Sequence, residues 1–425
     1  MQPTVKLQKA PAYRFIVFVE MLLCYILIYA GIQMVATLGT DIMESMKISQ
    51  SGLSLFSAIG NPAMAIISVL AGAVTAKFGG KRVLVIGLVI LGISGGLYLA
   101  GPKSFVLLIV IRIIQGFGTG MVSATVQALV AVWFPGNERG TAQGGLAAFY
   151  GASTSVVTVY AGFMAARNAL WYETAGYMLL VCGFVLAVVV AFGYRDIEKS
   201  YGVNVIDEAI EGYVPVASES GNSTGRELPN TWPDTLRSPA FWLVGISLFF
   251  YGGSSFGIGF CLPLFLADSG YDAVSTASIM TYGSLSSIIF SLAGGVIADR
   301  VFHGRRTQVY AISFGGAVIA TLAVLFAGGN VSVVTMSAIY FFVMGFATFA
   351  GGPAWVLPVE VVGPQMAQQN MGTCLLFSGM GSTIMLIIYG FMAETFGADA
   401  SMMCLACCMA LPCIIALILG KKYKL

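Results

Sequence analysis

Residues 13–37 read YRFIVFVEMLLCYILIYAGIQMVAT, an unbroken apolar run with one charged residue beyond its first turn, Glu20. A bilayer's hydrocarbon core is about 30 Å thick, and a helix of about 20 apolar residues crosses it. The run is long enough to span and too long for the apolar stretch of a cleavable signal peptide. It does not alternate as a barrel strand of half that length would, and a backbone in lipid must satisfy its own hydrogen bonds. The stretch therefore predicts a transmembrane helix.

Comparable runs recur near 51–76, 82–101, 104–133, 140–165 and 171–193, and again near 239–267, 273–298, 307–328, 331–359, 366–393 and 399–420. The chain of 425 residues is 58% hydrophobic and 9% charged, far below the roughly one-quarter charged content of soluble domains. These runs predict an all-α membrane protein with twelve transmembrane helices in two six-helix bundles, 1–193 and 239–425. The stretch 194–238, with Asp196, Glu198, Asp207 and Glu208 among Gly, Ser, Asn and Pro, reads as a solvated cytoplasmic linker. With the amino terminus in the cytoplasm, seventeen Lys and Arg residues fall on that side and three, Lys47, Lys103 and Arg167, on the other. That asymmetry places both termini in the cytoplasm of a multi-pass protein of the cell membrane.

A net charge of +2 gives no reason to expect nucleic acid as a partner. All eight cysteines lie in apolar runs, where sulfur behaves as a small hydrophobe. Cys404 and Cys407 have a CxxC spacing, but no histidine or carboxylate stands beside them to complete a metal site. No cofactor, metal or enzymatic activity is expected, since no nucleotide loop or nucleophile triad appears. The expected partners are a small-molecule substrate, protons and the lipid bilayer. Outer loops without disulfide pairs suit a bacterial-type inner membrane.

The two halves resemble each other. A shift of 228 residues lays Gly144 on Gly372, Phe149 on Phe377, Gly151 on Gly379, and Gly162-Phe-Met-Ala165 on Gly390-Phe-Met-Ala393. A shift of 229 lays Gly116-Phe117 on Gly345-Phe346 and Pro135 on Pro364. Such repeats are common in transporters. Small residues every fourth position, Gly140, Gly144, Ala148 and Ala152 in span five and Gly116, Gly120, Ala124 and Ala128 in span four, read as helix-packing stripes.

Two loops carry one pattern: Gly72-Ala-Val-Thr-Ala-Lys-Phe-Gly-Gly-Lys-Arg82 after span two, and Gly295-Val-Ile-Ala-Asp-Arg-Val-Phe-His-Gly-Arg-Arg306 after span eight. Both resemble the GxxxDRxGRR loop of the major facilitator superfamily, and Arg112-Ile-Ile-Gln-Gly-Phe-Gly118 is similar to that family's RxxQG motif. The resemblance covers essentially the whole chain. It implies a secondary transporter working by alternating access, favours a monomer, and places a cytoplasmic gate at Lys77, Lys81, Arg82, Asp299 and Arg300. Ala76 stands where the first loop's aspartate would be, and the second loop has one extra residue before Gly304.

Charges inside a bilayer are costly and each asks for a reason. Glu20 and Arg112 are the two clear cases, and they are the candidates for proton coupling and conformational change. The alternative for Glu20 is a side chain that snorkels to the interface or pairs structurally. For Arg112, whose motif in the family resembled favours a conformational or proton-transfer role, the alternative is the binding of an anionic substrate. The resemblance implies a pore lined by spans one, four, seven and ten. Tyr25, Tyr29 and Gln33 share one face of span one, and with Gln115, Tyr251 and Tyr340 they form a candidate substrate-binding set. At 100° per residue Glu20 lies nearly opposite Tyr29. Glu360 is expected to reach water, and Gly351-Gly-Pro353 with Pro358 to interrupt span ten.

Span five lacks the Gly-Pro element of the family's antiporter branches, which favours uptake. The expected function is proton-coupled uptake of a small polar or anionic molecule. The alternatives are proton-linked efflux of amphipathic compounds and, from a different class, a transporter-like membrane receptor.

Overall fold

The computed structural model describes residues 7–48, 50–203, 205–210, 228–229, 231–303, 305–362 and 366–423. The linker residues 211–227 and 230, the loop residues Gly304 and Pro364, and the terminal Lys6 and Lys424 lie outside them. The first half contains α1 (Tyr13–Thr37), α2 (Gly39–Met46), α3 (Gln50–Phe78), α4 (Gly80–Leu99), α5 (Phe105–Trp133), α6 (Gly136–Ala165), α7 (Trp171–Gly193) and the short α8 (Ile197–Tyr201). The second contains the short α9 (Trp232–Arg237), then α10 (Pro239–Asp268), α11 (Ala273–Arg300), α12 (Arg306–Ala327), α13 (Val333–Phe349), α14 (Gly351–Glu360), α15 (Ala367–Phe396) and α16 (Ala398–Tyr423).

Eleven segments among the described residues are long and apolar enough to cross a membrane. Span five, α6, is as long at 30 residues, but its first turns are rich in Gly, Thr and charged residues and dilute its hydropathy. Span ten is divided between α13 and α14 at Ala350. Large apolar side chains stay exposed on the outer helix faces, Phe192 at 87% and Phe326 at 85% among them, as expected of helices whose surroundings are lipid.

The helices cluster into two compact units. One comprises Met1–Trp133, Ala152–Glu211 and Gln368–Leu376; the other comprises Phe134–Gly151, Gly212–Ala367 and Phe377–Leu425. In the first, α4 packs on α7, α3 on α5, and α1 on both α5 and α7. In the second, α11 packs on α13, α12 on α13 and α16, and α10 on α16. The start of α6 thus packs with the second unit, and the start of α15 with the first.

Two glycines that the internal repeat superimposes make those crossings. A Cβ at Gly144 would lie 2.7 Å from the Ser291 carbonyl oxygen and 3.3 Å from the Cα of Gly295. A Cβ at Gly372 would collide with the Ser68 carbonyl oxygen and lie 3.3 Å from the Cα of Gly72. Ser291 and Gly295 are related to Ser68 and Gly72 by one offset, so the same backbone contact occurs twice, α6 on α11 and α15 on α3.

Trp133, fully buried at the end of α5, gathers the neighbouring chain ends. Its ring centroid is 5.5 Å from Tyr13, 6.5 Å from Tyr194 and 6.1 Å from Tyr201, and its Nε1 donates to the Tyr194 hydroxyl at 3.0 Å. The first part of the predicted linker joins this cluster. Val203, Val205, Ile206 and Ala209 are buried, and the Leu7 amide donates to the Ala209 carbonyl at 2.8 Å. Averaged over 194–238, composition conceals this apolar patch.

If the glycine crossings hold the bundles, Gly144→Leu and Gly372→Leu lower the thermal unfolding midpoint of the detergent-solubilised protein. Overpacking costs about 1–3 kcal/mol, and contact with backbone rather than a movable side chain puts these at the upper end. Gly162→Leu, at a repeat position with nothing within 4 Å, leaves the midpoint unchanged.

Candidate functional site

The most polar buried site of the first unit is built on α5. Arg112 and Gln115 are three residues apart and so share a helix face. They meet Gly31 of α1 and Tyr98 of α4. Arg112 Nη1 donates to the Gly31 carbonyl at 3.2 Å and to Gln115 Oε1 at 3.0 Å. Gln115 Nε2 donates to the same carbonyl at 3.0 Å, and the Tyr98 hydroxyl donates to Gln115 Oε1 at 3.2 Å. The guanidinium carbon sits 5.6 Å from the centre of the Phe56 ring, within cation–π range. Arg112 is 3% exposed. Its Nε is buried and donates to nothing, and no carboxylate among the described residues pairs with it. Of this group, sequence reasoning found Arg112 and Gln115 and missed Tyr98 and Gly31.

Glu20 is elsewhere. Its carboxylate abuts Gly193, the last residue of α7, close enough that a Cβ there would collide with Oε1. Oε2 is buried and accepts no hydrogen bond. Glu20 and Arg112 are therefore two separate buried charges rather than an ion pair.

The tyrosine face of span one is present as a stacked pair. Tyr25 and Tyr29 have ring centroids 4.7 Å apart, the Tyr25 hydroxyl donates to that of Tyr29 at 3.4 Å, and Gln127 of α5 donates to Tyr25 at 3.4 Å. Tyr25 is buried, whereas Tyr29 and Gln33 are partly exposed. In the second unit Tyr251 lies between the rings of Phe314 and Trp355, each 6.0 Å away. Tyr340 is 2% exposed and presses on Gly283 of α11, where a Cβ would collide with it.

Among the residues expected at the cytoplasmic gate, Asp299 is held by several hydrogen bonds. It accepts from the Gly140 amide at 3.2 Å, the Thr141 amide at 2.6 Å and the Thr141 hydroxyl at 2.7 Å, where an anion near a helix amino terminus is favoured. Its ion-pair partner is Arg306, fully buried, which also donates to the Gly136 carbonyl at 2.6 Å and to Glu360 at 3.4 Å. Gly140 N and Gly136 O are one turn apart in α6, so the two halves of the ion pair occupy one turn of that helix. The arginine beside Asp299 in sequence, Arg300, is instead exposed, because it lies on the other side of the helix end. Glu360, expected to reach water, holds Arg306, and its side chain is 21% exposed. In the first loop Lys77 lies over the Phe78 ring at 5.3 Å, Lys81 is half-buried and Arg82 exposed.

The model of the Major Facilitator Superfamily matches residues 21–382. Among curated proteins, the chain is 26% identical over 402 residues to the "Probable sulfoacetate transporter SauU" of Cupriavidus necator, covering 91% of this chain and 88% of that one. It is 24% identical over 317 residues to the hexuronate transporter of Bacillus subtilis, covering 72% and 71%. Among solved structures, the proton:xylose symporter XylE bound to 6-bromo-6-deoxy-D-glucose superimposes with a TM-score of 0.76 at 16% identity, covering 97% of this chain and 96% of that one. That likeness is one of fold.

Removing one partner of a buried ion pair costs about 3–5 kcal/mol, because the other charge is left uncompensated. Asp299→Ala is therefore expected to lower the unfolding midpoint strongly, and Arg300→Ala to shift it by no more than about 0.5 kcal/mol equivalent. Thermal unfolding of the two variants in detergent checks the contrast.

Proposed function

Since the chain belongs to the Major Facilitator Superfamily, and is a multi-pass membrane transporter rather than an enzyme, we propose that its cargo is a small organic anion taken up together with protons. The carrying observation is Arg112: a guanidinium, charged at every accessible pH, buried without a carboxylate partner. Burying an ion costs several kcal/mol, and neutral acceptors such as the Gly31 carbonyl and the Gln115 amide offset only part of that. An anion arriving from outside the protein offsets the rest. The substrates that two relatives are named for, sulfoacetate and hexuronate, are small organic acids and support this reading. Among the amphipathic compounds of the alternative efflux reading, a cationic one would be repelled by the same charge.

In this proposal the two six-helix halves, joined through 194–238, alternate about the substrate. Tyr25, Tyr29 and Gln33 contact it from the first half and Tyr251 from the second, Gln115 holds Arg112 in place beside it, and Tyr340 contributes by packing. Glu20 carries the proton, because a buried carboxylate oxygen without a donor is stabilised by gaining one. Asp299 with Arg306 forms the latch on the cytoplasmic face, and Lys77, Lys81, Arg82 and Arg300 provide the positive charge that orients that face in the membrane. Opening that side breaks the latch.

Reconstituted liposomes with a proton gradient, acidic outside, are expected to accumulate labelled glucuronate or sulfoacetate. Glu20→Gln is expected to lose gradient-driven accumulation and keep solute exchange; Arg112→Gln is expected to lose both by at least about tenfold, one lost charge-assisted contact being worth about 1.4 kcal/mol or more. Accumulation that ignores the gradient in the wild type rules out proton coupling, and an unaffected Glu20→Gln variant removes Glu20 from it.

A further inference from the structure

The Arg112 guanidinium uses one corner to hold itself in place. Nη1 is committed to Gly31 and Gln115, and the Gln115 amide cannot turn, since its Nε2 donates to Gly31 and its Oε1 accepts from Tyr98. The Nε–H on the opposite edge is buried and has no acceptor. It faces Gly60 of α3: a Cβ on that residue would lie 3.2 Å from Nε and 3.6 Å from Cδ.

Beside Arg112 is a small cavity whose lining includes Gly60, Asn61, Gln115, Gly116 and Thr119, together with the apolar Ile32 and Met64. Its free space accommodates about one water-sized group. Three of the residues around it, Arg112, Asn61 and Thr119, carry side chains able to donate. Pro62, next to Asn61, removes one bond from the α3 ladder at this level, so the helix is locally irregular where the cavity forms.

We propose that this cavity is the seat for one oxygen of an oxyanion, a carboxylate or sulfonate, carried by the transported solute. The inference deepens the anion reading above and rests on it. A neutral hydroxyl would satisfy the Nε–H but leave the guanidinium charge uncompensated; an anionic oxygen does both, in a charge-assisted hydrogen bond. Gly60 then determines specificity, because its missing Cβ leaves the space beside Nε. Gln115 and Tyr98 are positioning residues that keep the Nε edge turned toward the seat.

The test is direct binding to the purified full-length protein in detergent, by calorimetry, with glucuronate, sulfoacetate and, as the uncharged parent of the first, glucose. The wild type binds the two acids and not glucose. Gly60→Ala, whose added methyl needs a shift of only a few tenths of an ångström in Arg112, keeps the unliganded melting temperature and binds both acids at least about tenfold more weakly. Thr119→Val and Asn61→Leu read the same seat from its other walls and are expected to weaken binding several-fold, which covers the case of an unstable Gly60→Ala protein. Loss of binding in Arg112→Gln with wild-type affinity in the three seat variants overturns the seat and leaves the anion reading standing. A wild type that binds neither acid, or binds glucose equally, overturns the anion reading and the seat with it.

Discussion

Helices in lipid gain little by hiding apolar side chains from one another, since the surrounding tails are equally apolar, and close backbone approach becomes the main source of cohesion. In this protein the approach of α6 to α11 at Gly144 sets the position of the Asp299 carboxylate. Along that antiparallel crossing Gly144 meets Ser291, and one turn earlier Gly140 meets Gly295, where a Cβ on Gly295 would collide with the Gly140 carbonyl. One turn further along α11 comes Asp299, brought level with the Gly140 and Thr141 amides. The acid at the end of α11 thus finds its donors because Gly140 and Gly144 of α6 and Gly295 of α11 let the helices touch. Arg306 closes the arrangement by taking both Asp299 and the carbonyl of Gly136.

The same economy builds the site in the first unit. α3 and α5 approach so closely that a Cβ on Gly116 would lie 2.7 Å from the Gly60 carbonyl oxygen. That approach brings a helix surface without a side chain up to Arg112, leaving its Nε buried without an acceptor while Nη1 is held by Gly31 and Gln115. A lysine at 112 would reach the same acceptors as a point charge but would present no second edge. The packing device and the proposed recognition device are therefore the same glycine.

Much of this was legible in the sequence. Apolar run lengths fixed the helices, because crossing a bilayer is a one-dimensional requirement. The repeat between spans five and eleven pointed to Gly144 and Gly372, and the structure makes them equivalent crossing points. Arg112 stood out as a charge inside the bilayer, and Gln115 as a polar residue in a span expected to line the pore. Gly31, Gly60 and Tyr98 did not, since they come from three other helices and nothing local marks which glycine faces a guanidinium. The resemblance pointed to Arg300 beside Asp299, whereas the arginine paired with Asp299 is Arg306 at the start of α12, seven residues on, where nothing local in the sequence marks it. The buried patch from Val203 to Ala209 was masked by the acidic and small residues around it.

The central claim is that the acid group of the solute, through Arg112, is what the transporter recognises. Counterflow tests it most directly: liposomes preloaded with unlabelled glucuronate or with glucose, two solutes that share a ring and differ in one acid group, are presented with labelled glucuronate outside. The account predicts that internal glucuronate accelerates entry of the label and internal glucose does not. Equal acceleration by both solutes would show that the carboxylate is not what is read, and would contradict it.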